Sequence, residues 1–180
     1  MTWRGARRAL CGLALTSGLA RADGEPRRDF ALSLPLVGLL ASSVGFQLEQ
    51  RVAARWSLAT SMALRKSGGD DYDVRETGFG VEGRRWLARA RGLRALRGPF
   101  VAARLEHGVT SASLHGRPIG STVRVGASGA FGWRWIIAER VEIAPSVGVG
   151  VRVELDGRDR VAPWARAEIF RFSTTVGVVF

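Results

Sequence analysis

A chain of 180 residues is long enough for one domain with a sizeable interior, and 23 of its residues are glycine. Lys and Arg number 27 against 16 Asp and Glu, a formal charge of +11 carried almost wholly by arginine, with Lys66 the single lysine. The arginines are scattered through apparent strands and turns and form no basic helix or stripe, which argues against a nucleic-acid partner.

Met1 to Ala22 reads as a secretory signal peptide. Arg4, Arg7 and Arg8 form its charged start, Ala9 to Leu19 its short apolar stretch, and Ala20-Arg21-Ala22 the A-x-A cleavage pattern. An uncleaved anchor is the alternative, but the apolar stretch is too short to span a bilayer. Cleavage takes away four arginines and no acid, lowering the charge from +11 to +7. It also removes Cys11, the only cysteine, so the mature chain holds neither a disulfide nor a cysteine-ligated metal. Residues 23–28 form a polar leader, and 29–180 the remaining domain.

Phe30 to Leu48 carries no charge and approaches the length of a transmembrane helix. Pro35, Gly38, Ser42, Ser43 and Gly45 oppose a helix, and the alternation of Phe30, Leu32, Leu34 and Leu36, then of Val44, Phe46 and Leu48, predicts two strands turning near residues 41–43. After a turn at 51–55, Trp56, Leu58, Met62 and Leu64 mark a third strand, and the polar run 66–75 with its Gly-Gly-Asp-Asp reads as a loop. A fourth strand runs through Phe79 and Val81 to about Leu87, its parity unclear at Arg84-Arg85-Trp86. The arginine-rich stretch 88–98 connects onward and has room for a short amphipathic helix. Val101, Ala103 and Leu105 mark a fifth strand, and the small residues of 108–120 read as another loop.

The sixth strand sets Val123, Val125, Ala127, Phe131, Trp133 and Trp135 on one face. After a tight turn at 138–140, Val141 to Leu155 alternates without a break and is longer than the 5–6 residues usual in soluble domains. A loop at 156–163 leads to the last strand, with Phe170, Phe172, Thr174, Val176, Val178 and Phe180 on one face. The expected fold is all-β: eight antiparallel, up-and-down strands closed into a transmembrane β-barrel.

The apolar face of such strands meets either a protein core or lipid. Phe30, Trp56, Trp86, Trp133, Trp135 and Phe180 fall at the strand ends nearest the termini, with Trp164, Phe170 and Phe172 towards the other end. This clustering matches the aromatic girdles of membrane barrels. Phe100 departs from it, since its parity points inward. The polar face carries Glu49, Glu82, Glu106, Glu142 and Glu154 with Arg104, Arg124, Arg134, Arg152 and Arg171. Inside an eight-stranded barrel these would pair and fill the interior, Glu142 with Arg134 near one end and Arg124, Arg152 and Glu154 nearer the other. In a soluble barrel they would face water. Small inward residues (Gly126, Ser128, Ala130, Ser146, Gly148, Gly150) leave room at mid-height for a narrow passage.

An A-x-A signal, eight alternating strands and a last strand ending in phenylalanine resemble bacterial outer-membrane barrels of the OmpA, OmpX and OmpW type, over roughly residues 29–180. The resemblance implies an outer-membrane location in a Gram-negative bacterium and a structural or surface-interaction role. Its implied partners are outer-membrane lipids and the assembly machinery, with Phe172, Val176, Val178 and Phe180 as the sorting signal that the machinery reads. It implies a monomer with no cofactor, no metal and no catalysis. Two alternatives stay open. One is a soluble, exported, lipocalin-like binding barrel. The other is a lipid-modifying outer-membrane enzyme, for which Glu106, His107, Ser111, Ser113 and His115 are the only candidates for a Ser-His-Glu arrangement.

Overall fold

The structure, a computed structural model, describes residues 29–36, 43–69, 71–87, 97–156 and 166–180. The expected signal peptide and leader, Trp164, the turn at 41–42, most of the 88–98 connection and the 157–163 loop lie outside the described residues. Eight strands follow in chain order: β1 (Phe30–Pro35), β2 (Ser43–Ala53), β3 (Trp56–Gly68), β4 (Tyr72–Trp86), β5 (Gly98–Leu114), β6 (Arg117–Ile137), β7 (Val141–Asp156) and β8 (Arg166–Val179). Each pairs antiparallel with its neighbours, and β8 pairs with β1 to close the ring. Phe30 and Phe180 seal that seam with reciprocal backbone hydrogen bonds of 3.1 and 2.9 Å and with stacked rings 6.2 Å apart.

The register fixes the shape. Arg171 lies opposite Gly148, and the same row continues through Ala130, Ala102, Arg84 and Ser57 to Arg51. The β1–β2 register (Ala31 opposite Glu49) brings Arg51 to Asp29, whose carbonyl accepts the Arg51 N–H, and the β1–β8 register sets Pro35, six residues on, opposite Thr175, four residues along β8 from Arg171. Ten residues of stagger over eight strands, at a rise of about 3.3 Å and a spacing of about 4.8 Å, tilt the strands by about 40°. A ring this narrow is filled by side chains.

Alternation then sorts the residues. Among the described residues the buried set is mostly polar: Ser33, Gln47, Glu49, Ser57, Arg84, Arg134, Glu142 and Thr175, with Ala31, Ala59, Trp86, Phe100, Ala144 and Val179 the buried apolar ones. The large apolar side chains of β1 to β8 are exposed on the outside, from Leu32 and Phe46 round to Phe131, Val149 and Phe172. The interior is polar and the exterior apolar, the inverse of a water-soluble core.

Three elements differ from the sequence reading. The runs 66–75 and 108–120 are mostly strand: β3 continues to Gly68, β4 begins at Tyr72, and β5 and β6 extend to a two-residue turn at His115-Gly116. That turn holds φ of 49° and 75°, the left-handed pair that tight hairpins require. Apolar alternation fades in these extensions, while backbone pairing such as Thr110 opposite Thr122 continues without it. The tight turn at 138–140 is present, with Ala138 and Glu139 at φ 49° and 61° and Arg140 N–H donating to the Ile137 carbonyl. The third difference is Trp86. Expected with the outer aromatics, it points inward and is buried against Phe100, because Arg84 and Trp86 take the inward positions of β4 and Arg85 the outward one.

Candidate functional site: the charged lumen

The inward positions of β2, β4, β5, β6, β7 and β8 bring together acids and arginines far apart in sequence. At the end nearest the termini, Glu142 receives the Arg134 Nε at 3.1 Å and a hydrogen bond from the Ser33 hydroxyl. The other side of Arg134 donates to Glu49, and the same Glu49 oxygen accepts from Arg84 Nη1 at 2.6 Å. Arg84 also donates through Nε to Glu82 at 2.5 Å. All of these side chains except Glu82 are 5% exposed or less, so each buried charge depends on its partners.

Two aromatic rings wall this layer. Trp86 and Phe100 pack with centroids 5.0 Å apart, and the indole N–H of Trp86 donates to Ser57 at 3.0 Å. The Arg134 guanidinium lies 4.7 Å from the Trp86 ring and that of Arg84 4.9 Å from Phe100. A cation over an aromatic face gains most where water is excluded. Gly132 is the position that admits Phe100, since a Cβ there would overlap the ring.

Glu82 passes the chain of charges upward. Arg104 Nη1 stands 3.8 Å from it, and Arg104 Nε 3.5 Å from Glu106. Glu106 also takes Arg171 at 2.7 Å and Arg152 at 3.5 Å. Arg124 pairs with Glu76. Charges therefore alternate along the lumen from Glu142 through Arg134, Glu49, Arg84, Glu82 and Arg104 to Glu106. Lumenal glycines make the room: a Cβ at Gly80 would meet the Arg104 guanidinium at 2.9 Å, and one at Gly126 would meet Glu106 Cγ at 3.0 Å.

The room expected at mid-height is slight. Ala130, Ser128 and Ser146 border a space of about 30 Å³ between the two charged layers, the share of one water molecule. Above it lies a larger cavity of about 280 Å³.

The interior charges Glu49, Glu82, Arg104, Glu106, Arg124, Arg134, Glu142, Arg152 and Arg171 all take inward positions. Glu154 lies on the same face, opposite Arg124 in the β6–β7 register. Glu142 meets Arg134 as expected, whereas Arg124 reaches Glu76 and Arg152 reaches Glu106. Sequence reasoning missed Arg84 and Glu76. Arg84 sits where strand parity was obscured, and Glu76 lies between the run read as loop (66–75) and the residues read as the fourth strand. Continuing β4's alternation backward from Glu82 would have found Glu76. On the outer face, Phe30, Trp56, Trp133, Trp135 and Phe180 gather at the end that holds the termini, with Arg85 stacked 5.9 Å from Trp56.

The residues of a conceivable Ser-His-Glu arrangement are not assembled. Glu106 points into the lumen while its neighbour His107 points outward, and His115 sits at the hairpin turn 3.2 Å from Asp71. Among the described residues, no group of three His, Cys, Asp or Glu side chains is placed to hold a metal ion. No protein-family model matches the chain. No curated protein is significantly similar to it.

Proposed function

We propose that this chain is an outer-membrane β-barrel protein of the OmpA, OmpX and OmpW kind, with a structural or surface-interaction role and a lumen plugged by ion pairs. The observation that carries the reading is the inverted polarity of the ring. Water-soluble proteins seldom expose a contiguous apolar patch beyond a few hundred Å², yet here exposed Leu, Val, Phe and Trp side chains follow every strand around the outside. On β3 they run from Trp56 to Leu64, and on β6 from Val125 to Ile137. With strands tilted by about 40°, those runs cover roughly 20–30 Å of height, against an apolar band of about 25 Å in membrane barrels. Lys66 and Arg75, paired with Asp73 at 3.9 and 2.9 Å, stand just above the band on β3 and β4. A lipocalin-like barrel needs the opposite arrangement, an apolar interior under a polar surface.

The lipids of the outer membrane are then the partner of the outer face, and the assembly machinery the partner of the last strand. The alternating charges and the aromatic pair Trp86–Phe100 close the lumen, so the barrel braces the envelope or presents its hairpins rather than conducting. Cell fractionation tests this. The protein is expected in the outer-membrane fraction, resistant to alkaline carbonate and shifting in gel mobility on heating. Recovery as a soluble periplasmic protein would overturn the proposal.

A further inference from the structure

The end of the ring that holds the termini carries an excess of exposed arginine. Arg51 and Arg55 flank the β2–β3 turn, Arg97 leads into β5, Arg140 lies in the β6–β7 turn, and Arg85 stands on the outer face of β4 near its end. The described acids beside them outside the lumen are Asp29 and Glu139. Arg55, Arg97 and Arg140 pair with no acid among the described residues.

The remaining sequence of this end does not restore the balance. Residues 88–96, which join β4 to β5, contain Arg89, Arg91 and Arg94 and no acid, and residues 23–28 contain two acids and two arginines. The nearest lumenal acids, Glu49 and Glu142, are buried and held by Arg84 and Arg134.

The arginine rim coincides with the aromatic belt of the same end. Trp56 follows Arg55 in the chain, and Arg85 is its cross-strand partner, with the guanidinium 5.9 Å from the indole. The Trp86 N–H donates to the Arg55 carbonyl at 2.8 Å, which ties the β2–β3 turn to the end of β4. In a membrane barrel an outward indole marks the level of the lipid headgroups, and long basic side chains there keep their charged heads in the polar layer. A guanidinium at that level offers paired N–H groups to phosphate oxygens. A zwitterionic headgroup has the phosphate without the net charge, so a basic rim favours anionic headgroups.

We infer that the terminus end of the barrel is a docking rim for anionic phospholipid headgroups, with Arg55 and Arg85 around Trp56 as its principal contact and Arg97 and Arg140 extending it round the ring. The inference rests on the reading of the chain as a membrane barrel and adds to it a choice of lipid at one leaflet.

The test uses a variant that keeps Trp56 as its only tryptophan, folded into mixed vesicles of phosphatidylglycerol and phosphatidylcholine in which the acyl chains of one lipid at a time carry bromine. Random mixing quenches Trp56 in proportion to the amount of the brominated lipid. Quenching by phosphatidylglycerol is expected to exceed that share, with an association ratio of about fivefold, the worth of one basic residue at an anionic surface. The ratio should fall towards one at about 1 M salt, where charges are screened within about 3 Å, and when Arg55→Gln and Arg85→Gln are combined. Lys66→Gln with Arg75→Gln removes the same charge from the hairpin end and should leave the ratio unchanged, which a response to net charge alone would not. Heat-shifted gel mobility verifies that each variant has folded, and the salt series needs neither pair of substitutions. Quenching by both lipids in proportion to their amounts would overturn the inference and leave the membrane barrel standing, whereas quenching by neither would overturn both. Proportional quenching with salt-sensitive capture of polyglutamate would move the rim to an acidic soluble partner and likewise overturn the inference.

Discussion

Replacing Glu49 by Ala probes the lumen where it is most tightly coupled. One Glu49 oxygen accepts from both Arg84 and Arg134, and all three side chains are 5% exposed or less. The change deletes two charge-assisted hydrogen bonds, each worth about 1.5–3 kcal/mol. It also leaves two guanidinium groups facing each other, although Arg84 keeps Glu82 and Arg134 keeps Glu142. Breaking a buried pair by removing one partner costs about 3–5 kcal/mol, and we expect about 4 kcal/mol here. Glu49→Gln retains one acceptor oxygen and should cost about half as much. The assay is reversible urea unfolding in lipid vesicles followed by tryptophan fluorescence, with unchanged denaturant slope as the condition for comparing midpoints. A cost below about 1 kcal/mol for Glu49→Ala, the level of a solvent-screened surface pair, would refute a dry, interlocked lower layer.

Other expectations follow from single contacts. Changing Ala138-Glu139 to Asn-Gly should stabilise the barrel by about 1–2 kcal/mol in the same assay, because both residues occupy the left-handed region that this pair prefers. Phe180→Ser removes the ring stacked on Phe30 at the β1–β8 seam and should lower the yield of folded, heat-modifiable protein in the membrane; wild-type yield would remove that support. Planar-bilayer recordings should show no steady nanosiemens conductance for the wild-type protein, and Phe100→Ala, which empties the lower wall at about 3–5 kcal/mol in stability, is the variant in which leak is expected first. Single cysteines at positions 70 and 139, introduced in a Cys11→Ser background, should label on intact cells at 70 and not at 139; the reverse would invert the topology.

Much of this arrangement could be read directly from the alternation of residues. The inward placement of Glu49, Arg104, Glu106, Arg134 and Glu142 follows from parity alone once Leu48, Leu105, Trp133 and Ile143 are set outside. Parity also placed Phe100 inward against the general trend of aromatics. It failed at Arg84-Arg85-Trp86, where the charged Arg85 takes the outer face and the aromatic Trp86 the inner, the inverse of the pattern around them. The strand extensions to Leu114 and from Arg117 were hidden for another reason. Above the apolar band neither face needs large side chains, so Ser, Thr and Gly carry a ladder that leaves no periodic trace. Partner choice across the lumen was beyond reach, because Glu49 and Arg134 are 85 residues apart and meet only through the stagger of the ring.

The inverted polarity of the ring is tested most directly by quenching with brominated lipids. Two single-tryptophan variants suffice, one keeping Trp133 and one keeping Trp86, both refolded into vesicles. Trp133 stands on the outer face and is 44% exposed, while Trp86 is 1% exposed inside the lumen. Bromine on the acyl chains should quench Trp133 strongly and leave Trp86 almost unchanged. Failure to quench Trp133 in the folded protein, or stronger quenching of Trp86, would contradict an apolar exterior bathed in lipid around a charged interior.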